Sequence, residues 1–326
     1  MLRLRGNPQC VGSSQSGRLT SPAKFWQKVL MQAALLPDRG VVKVAGDDAR
    51  RFLNGLLTTD IDQVAAGLPR FAALLTPQGK IISDFIVVEA KAEDGGGFLL
   101  DAPRALAPSL VERLNFYRLR AKVIVEDLSE KLGVLAAWDG TGTTEYGVVY
   151  PDPRLPALGL RCILPPSVAA DAAADLGATL TSAEAYEAHR IAHGIPRGGL
   201  DFSYGDAFPH ETNMDQLGGI DFAKGCYIGQ EVVSRVEHRG SARARIVPIA
   251  YDGPAPESGI TVMAGDKAVG MLGSTSAGRG VAMLRLDRVD DALVAGLPLN
   301  AGGLTIRLVK PGWARFPFPS DTKVKT

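Results

Sequence analysis

The sequence predicts an α+β fold followed by a small β-barrel, and three observations carry that expectation. Up to about residue 240, hairpin-like strand pairs mix with helices, unlike the strict strand-helix alternation of a doubly wound parallel sheet. Beyond 240 the pattern changes to short strands separated by glycine and proline: RIVPIAYDG, ITVMAG, KAVGMLGSTSAG, GVAMLRLD and LTIRLVKPGW. That is how a small barrel reads. Before the change lies a well-punctuated helix, TSAEAYEAHRIAHGIP.

Taken in order, GVVKVAG (40–46) is a short strand, and DDARRFLNGLL a helix with Asp47 near its cap and Ala49, Phe52, Leu53 and Leu56 inward. FAALLTPQGKIISDFIVVEA (71–90) gives two strands around a Pro-Gln-Gly turn, a strong hairpin signal. GFLLDA adds a strand, PSLVERLNFYRL a helix and AKVIVEDL another strand. KLGVLAAW and LGLRCILP are strands around a polar loop. In the helix that follows, Thr181 to Glu184 fits a capping box, Gly194 a C-terminal cap and Pro196 a stop. The stretch GQEVVSRVEHR sets Val232, Val233 and Val236 on one helical face.

Composition narrows the function classes. The 326 residues suffice for two or three domains, and 46% hydrophobic with 22% charged residues describes a globular chain. Lysine plus arginine exceed the acids by one, so no global field favours nucleic acid. No run of about 18 apolar residues occurs, so no membrane span is expected. Cysteines at 10, 162 and 226 are too few and too scattered for a disulfide framework. Residues 1–30 are rich in Arg and Ser, and the first acid is Asp38. The segment is expected to be a disordered extension, either a mitochondrial transit peptide or the product of a start upstream of Met31. A cytoplasmic location is expected, with the mitochondrial matrix as the alternative.

Two motif-like patterns fail. GSTSAGRG (273–280) has phosphate-loop glycines, but Arg279 and Gly280 stand where Lys and Ser or Thr are needed, so it reads as a barrel turn. His189 and His193 share the i, i+4 spacing of zinc ligands. Arg190 replaces the general base and no third ligand follows, so no metal site is expected.

KGCYIGQE (224–231) is different. Gly225 and Gly229 permit close backbone approach, and Cys226 stands shortly before a helix start. Helix N–H groups and nearby Lys224 would favour a reactive thiolate, while the alternative is a small buried hydrophobe.

The longer stretch FPHETNMDQLGGIDFAKGCYIGQEVVSRVEHRG, preceded by HRIAHGIPRGG, carries the blocks RIAHGIP, ETN, LGGI and KGCYIGQE. In order and spacing they resemble the signature of the YgfZ-type folate-binding proteins. These are relatives of the glycine-cleavage T-protein (aminomethyltransferase) and are implicated in iron-sulfur cluster assembly or repair. The similarity runs from about Met31 to Trp313. It implies a three-lobed T-protein-like folate-binding fold with a C-terminal β-barrel, its lobes around a tetrahydrofolate pocket. The expected division is the extension 1–30, a folate-binding region of two intertwined lobes over 31–240, the barrel over 241–316 and a tail over 317–326.

The resemblance also implies site residues. GKIISDF matches the carboxylate-bearing hairpin of the T-proteins, with Asp84 kept and Ser83 in place of a second carboxylate. Ala192 stands where those relatives carry a glutamate. Both departures weaken a glycine-cleavage reading. Asp84, Glu211 and Asn213 are the candidates for folate contact, each alternatively a turn or cap residue. Cys226, with Lys224, is the candidate for chemistry. The leading reading is a tetrahydrofolate-binding accessory factor for 4Fe-4S proteins. The alternatives are a folate-dependent one-carbon transferase and a folate-binding module without chemistry. Clusters usually take four thiolates, so an iron-sulfur carrier or client protein would share the ligation.

Overall fold

A computed structural model describes residues 30–240 and 242–319. The expected extension (except Leu30), Cys10, and residues 320–326 of the tail lie outside the described residues. The chain begins with β1 (Gln32–Leu36), β2 (Arg39–Ala45) and α1 (Ala49–Asn54), then the hairpin β3 (Arg70–Leu75) and β4 (Ile81–Glu89). β5 (Phe98–Pro103), α2 (Ala107–Arg118) and β6 (Ile124–Asp127) follow, then β7 (Gly133–Trp138), β8 (Val148–Pro151) and β9 (Leu160–Leu164). Next are α3 (Ala169–Asp175), β10 (Thr179–Leu180), α4 (Ala183–Ala192) and, after a long irregular stretch, α5 (Gln230–Arg239). The last part holds β11 (Ala244–Tyr251), β12 (Thr261–Ala264), β13 (Lys267–Ser276), β14 (Arg279–Arg285), α6 (Leu286–Val294), β15 (Leu299–Ala301) and β16 (Leu304–Leu308).

These strands form three lobes. One sheet has the order β3-β4-β5-β2-β6, the second β10-β1-β7-β9-β8, and β11-β14-β13-β12-β15-β16 close into a barrel. Neighbours β1 and β2 fall in different sheets, so the first two lobes are interleaved. The barrel and the α+β class agree with the sequence expectation. A core containing Val41, Phe71, Ile86, Trp138, Tyr186, Met214, Tyr227 and Val233 joins both sheets to α4, α5 and the irregular segment between them.

Several local expectations shift. The capping box does not form: Ser182, not Thr181, is the N-cap of α4 and makes no side-chain cap bond, while the Thr181 N–H donates to Ala33 O of β1 (2.7 Å). The α4 C-terminus is as expected, with Gly194 in the left-handed region and Gly194 and Ile195 donating to Ile191 and Arg190 carbonyls. Asp48, not Asp47, is the α1 N-cap, and its carboxylate takes the Lys122 N–H (2.8 Å) instead of capping. The polar loop between β7 and β9 contains β8, α6 interrupts the barrel strands, and the short β15 after it is a further barrel strand. GSTSAGRG is a barrel hairpin, with Ala277 and Gly278 turning between paired Ser276 and Arg279.

Candidate functional site

The KGCYIGQE loop is fastened at three points. Gly229, at φ +82, is the N-cap of α5, and a Cβ there would meet Thr76 O at 2.6 Å, so only glycine lets the loop lie against the β3–β4 hairpin. Tyr227 is buried in the shared core. Lys224 reaches across to α1, where its ammonium donates to Asn54 O (2.7 Å), Leu57 O (2.7 Å) and Thr59 O (2.8 Å). All three ammonium hydrogens are thereby used, and Lys224 anchors the loop. Burial pushes its pKa down to about 8, while Asp60, Asp221 and Asp62 pull the other way.

Held between Lys224 and Tyr227, Cys226 stands exposed, which removes the buried-hydrophobe alternative. It borders an open cavity of about 460 Å³ whose walls include Asp47, Arg50, Arg51, Asn54 and Lys224. Cys162 is its opposite. It is buried on β9, its sulfur lies 2.9 Å from Tyr146 O, and burial pushes its thiol up to about 12. A soft, accessible sulfur beside an open cavity can share a soft metal or attack an electrophile; a buried neutral thiol cannot.

The three folate candidates do not converge. Asp84, on β4, accepts a 2.5 Å hydrogen bond from Tyr204, whose own ionisation is pushed up by burial and by that carboxylate. Glu211 accepts the Phe208 N–H (2.8 Å), closing its own turn. Asn213 is fully buried at φ +62 and spends its amide on β11, donating to Ile246 O (2.7 Å) and accepting from Arg245 (3.3 Å). The turn-and-cap role accounts for Glu211 and Asn213. A pterin site needs an apolar slot of about 300 Å³ or more. The cavity between the two sheets and α4 holds about 40 Å³ and is walled by Arg39, Arg154, Arg161, Glu187, Arg190 and Arg197. At that volume this cavity does not hold tetrahydrofolate.

Sequence reasoning missed the charged network around that cavity. Asp101 on β5 accepts from Arg39 (2.6 Å) and Arg161 (2.7 Å), and Tyr150 donates to it (3.0 Å). Arg161 also pairs with Asp152 (2.8 Å), which Arg154 holds by two further contacts of 2.9 and 2.6 Å. These cations depress both carboxyl pKa values despite burial. The signal was a lone charge inside an apolar strand, Asp101 in FLLDAP and Arg161 in LRCIL.

His189 and His193 meet edge to face with ring centroids 4.6 Å apart, and His189 Nε2 lies 2.8 Å from Ala157 O. Among the described residues, the group spaced to hold a metal ion is His210, Asp215 and Glu237. Arg245 already grips Asp215 through two 2.9 Å contacts, so this group reads as an ion-pair lattice.

Comparison with known proteins now bears on the site. Residues 243–316 match the family described as the CAF17 C-terminal beta-barrel domain. The chain is 34% identical over 257 residues to an "Iron-sulfur cluster assembly factor IBA57 homolog, mitochondrial" of Mycosarcoma maydis, covering 75% of this chain and 62% of that protein. It therefore spans less than two thirds of that relative's length. It is 32% identical over 294 residues to the homolog of Pyricularia oryzae, covering 82% of this chain and 75% of that protein. With the Homo sapiens protein of the same name it shares 30% identity over 321 residues, 89% of this chain and 87% of that one. In fold it is similar to the glycine cleavage system aminomethyltransferase T of Bartonella henselae, with a TM-score of 0.67 at 14% identity over 89% of this chain and 88% of that one. Matched across most of its length at 30% identity and above, the chain belongs to the IBA57 family of iron-sulfur cluster assembly factors.

Proposed function

We propose that this protein assists assembly or repair of 4Fe-4S proteins by lending Cys226 as one ligand while a cluster is held or passed on. The single observation that carries the reading is the exposed Cys226 on a loop locked by Lys224 and Gly229 beside an open cavity. A thiolate is a soft ligand for iron, and a cluster usually takes four of them. Among the described residues the other cysteine, Cys162, is buried, and three cysteines are fewer than the usual four ligands, so a carrier or client protein supplies the rest. The relatives' names place those proteins in mitochondria, which favours the mitochondrial alternative over the cytoplasmic one for this chain. Complementation of a deletion strain tests the proposal. Cys226→Ser should fold normally yet fail to restore 4Fe-4S enzyme activity; full rescue by the serine variant would refute it.

Tetrahydrofolate binding forms the second part of the reading. It rests on the motif resemblance and on Asp84 of the hairpin, since Glu211 and Asn213 already spend their polar atoms on Phe208, Ile246 and Arg245, and it requires a site larger than the arginine-walled cavity. A ligand that binds only the native state raises the melting temperature. A folate titration without a thermal shift would remove this part and leave the Cys226 reading standing.

A further inference from the structure

The turn after α2 carries two costs that the fold does not need. Ala121 N–H donates to Arg118 O (2.8 Å), closing a β-turn whose first central residue is Leu119 at φ 45, ψ −107. That is the type II′ position, which glycine takes freely and a residue with a Cβ does not. Leu119 is also 88% exposed, so no packing offsets the strain. Phe116 (71% exposed) and Ile124 (61%) are exposed in the same short segment, and Ile124 begins β6, an edge strand of its sheet. Leu119 and Ile124 border one hollow, and Phe116 lies three residues before Leu119; exposed apolar side chains so placed mark a contact surface.

Charge and position say what covers it. The turn reads Arg118-Leu119-Arg120-Ala121-Lys122, with three cations and no acid in a chain whose net charge is only +1. Arg120, and Arg113 seven residues earlier on α2, have no charged partner among the described residues. The turn is tied to the Cys226 cavity. Asp48 takes the Lys122 N–H (2.8 Å), Lys122 pairs with Asp47 (3.5 Å), and Asp47 lines both the cavity at Cys226 and the hollow under Leu119.

We propose that Phe116, Leu119 and Ile124, rimmed by Arg113, Arg118 and Arg120, form the docking surface for an acidic protein partner that brings an iron-sulfur cluster to Cys226. The partner's cargo rests on the function proposed above; the docking does not. A basic rim steers an acidic partner and sets its orientation, while the apolar tip supplies the buried anchor. Asp47, just ahead of α1, would then lie between the docked partner and the cavity at the thiol.

The experiment uses the full chain and an iron-sulfur carrier protein of net negative charge with its cluster removed, so that ligation by Cys226 plays no part. Calorimetric titration should show that Leu119→Asp and Arg120→Glu each weaken binding by roughly tenfold or more. Cys226→Ser should bind the cluster-free carrier as wild type does. Leu119→Gly separates docking from folding, since it should melt at a higher temperature and still bind weakly. Unchanged affinity in Leu119→Asp, or no binding by the wild type, overturns the proposal. So does a lower melting temperature for Leu119→Gly. Co-sedimentation with vesicles of phosphatidylcholine and phosphatidylserine that is lost in Leu119→Asp would assign the surface to a membrane and also overturn it. Failure of Cys226→Ser to disturb cluster handling would instead count against the function reading alone.

Discussion

Cys226 and Cys162 are the same side chain in opposite surroundings, one exposed on a pinned loop and the other buried with its thiol pushed up to about 12. Iodoacetamide near neutral pH should therefore modify Cys226 in the native protein and leave Cys162 intact until unfolding. Mass spectrometry of labelled peptides checks this, and comparable labelling of the two would contradict the assigned burial. Lys224→Met should lower stability by about 1–3 kcal/mol, because three carbonyls lose a charged donor, whereas Cys226→Ser should change it little. Urea denaturation of the two variants makes the comparison. Cys226 was legible in the sequence because glycines, a lysine and a tyrosine crowd around it. Glu211 and Asn213 were not resolvable there, since the side chains that contact a ligand are the ones that close turns, and only the partners Phe208 and Ile246 decide between the roles.

At the scale of elements, the β3–β4 hairpin and the α4 C-terminus were readable because local chemistry dictates them. A Pro-Gln-Gly turn and a glycine-proline stop need no distant partner. β8 escaped notice because it is four residues long and only Tyr150 is buried in it. α6 escaped because LDRVDDALV follows β14 without any intervening turn residue. The α4 stop also yields a prediction. Gly194 lies at φ +70, and a Cβ there would meet Pro248 Cγ of the barrel at 2.2 Å. Gly194→Ala should therefore cost about 1–3 kcal/mol through strain, with the clash against the barrel adding to it, and chemical denaturation should show the loss. Stability equal to wild type would mean that α4 and the barrel do not meet as described.

The whole molecule is joined by charges that no local pattern could pair. Asp101 and Arg39 belong to one sheet and Arg161 to the other, so the Arg161–Asp101 pair fastens the two interleaved lobes while Arg39 holds Asp101 from its own sheet. Asp101→Ala should cost about 3–5 kcal/mol, because it leaves buried guanidinium groups unpaired. The pH dependence follows from the depressed carboxyl pKa values of Asp101 and Asp152. Their contribution is fully present above the ordinary value of 3.8 and is lost as the pH falls below it toward the folded-state values. Acid titration of the melting temperature should thus show the network failing below, not above, that point. The α+β class and the barrel were visible from sequence because periodicity reports burial. Strand order across three lobes was not, since pairing such as β1 with β7 joins residues about a hundred apart. The central claim is that Cys226 shares a cluster with a partner protein. Its most direct test is the iron and sulfide content of the complex formed anaerobically between this chain and a cluster-loaded carrier. The wild-type complex should retain the cluster and Cys226→Ser should lose it while still associating; equal cluster content in the two complexes would contradict the account.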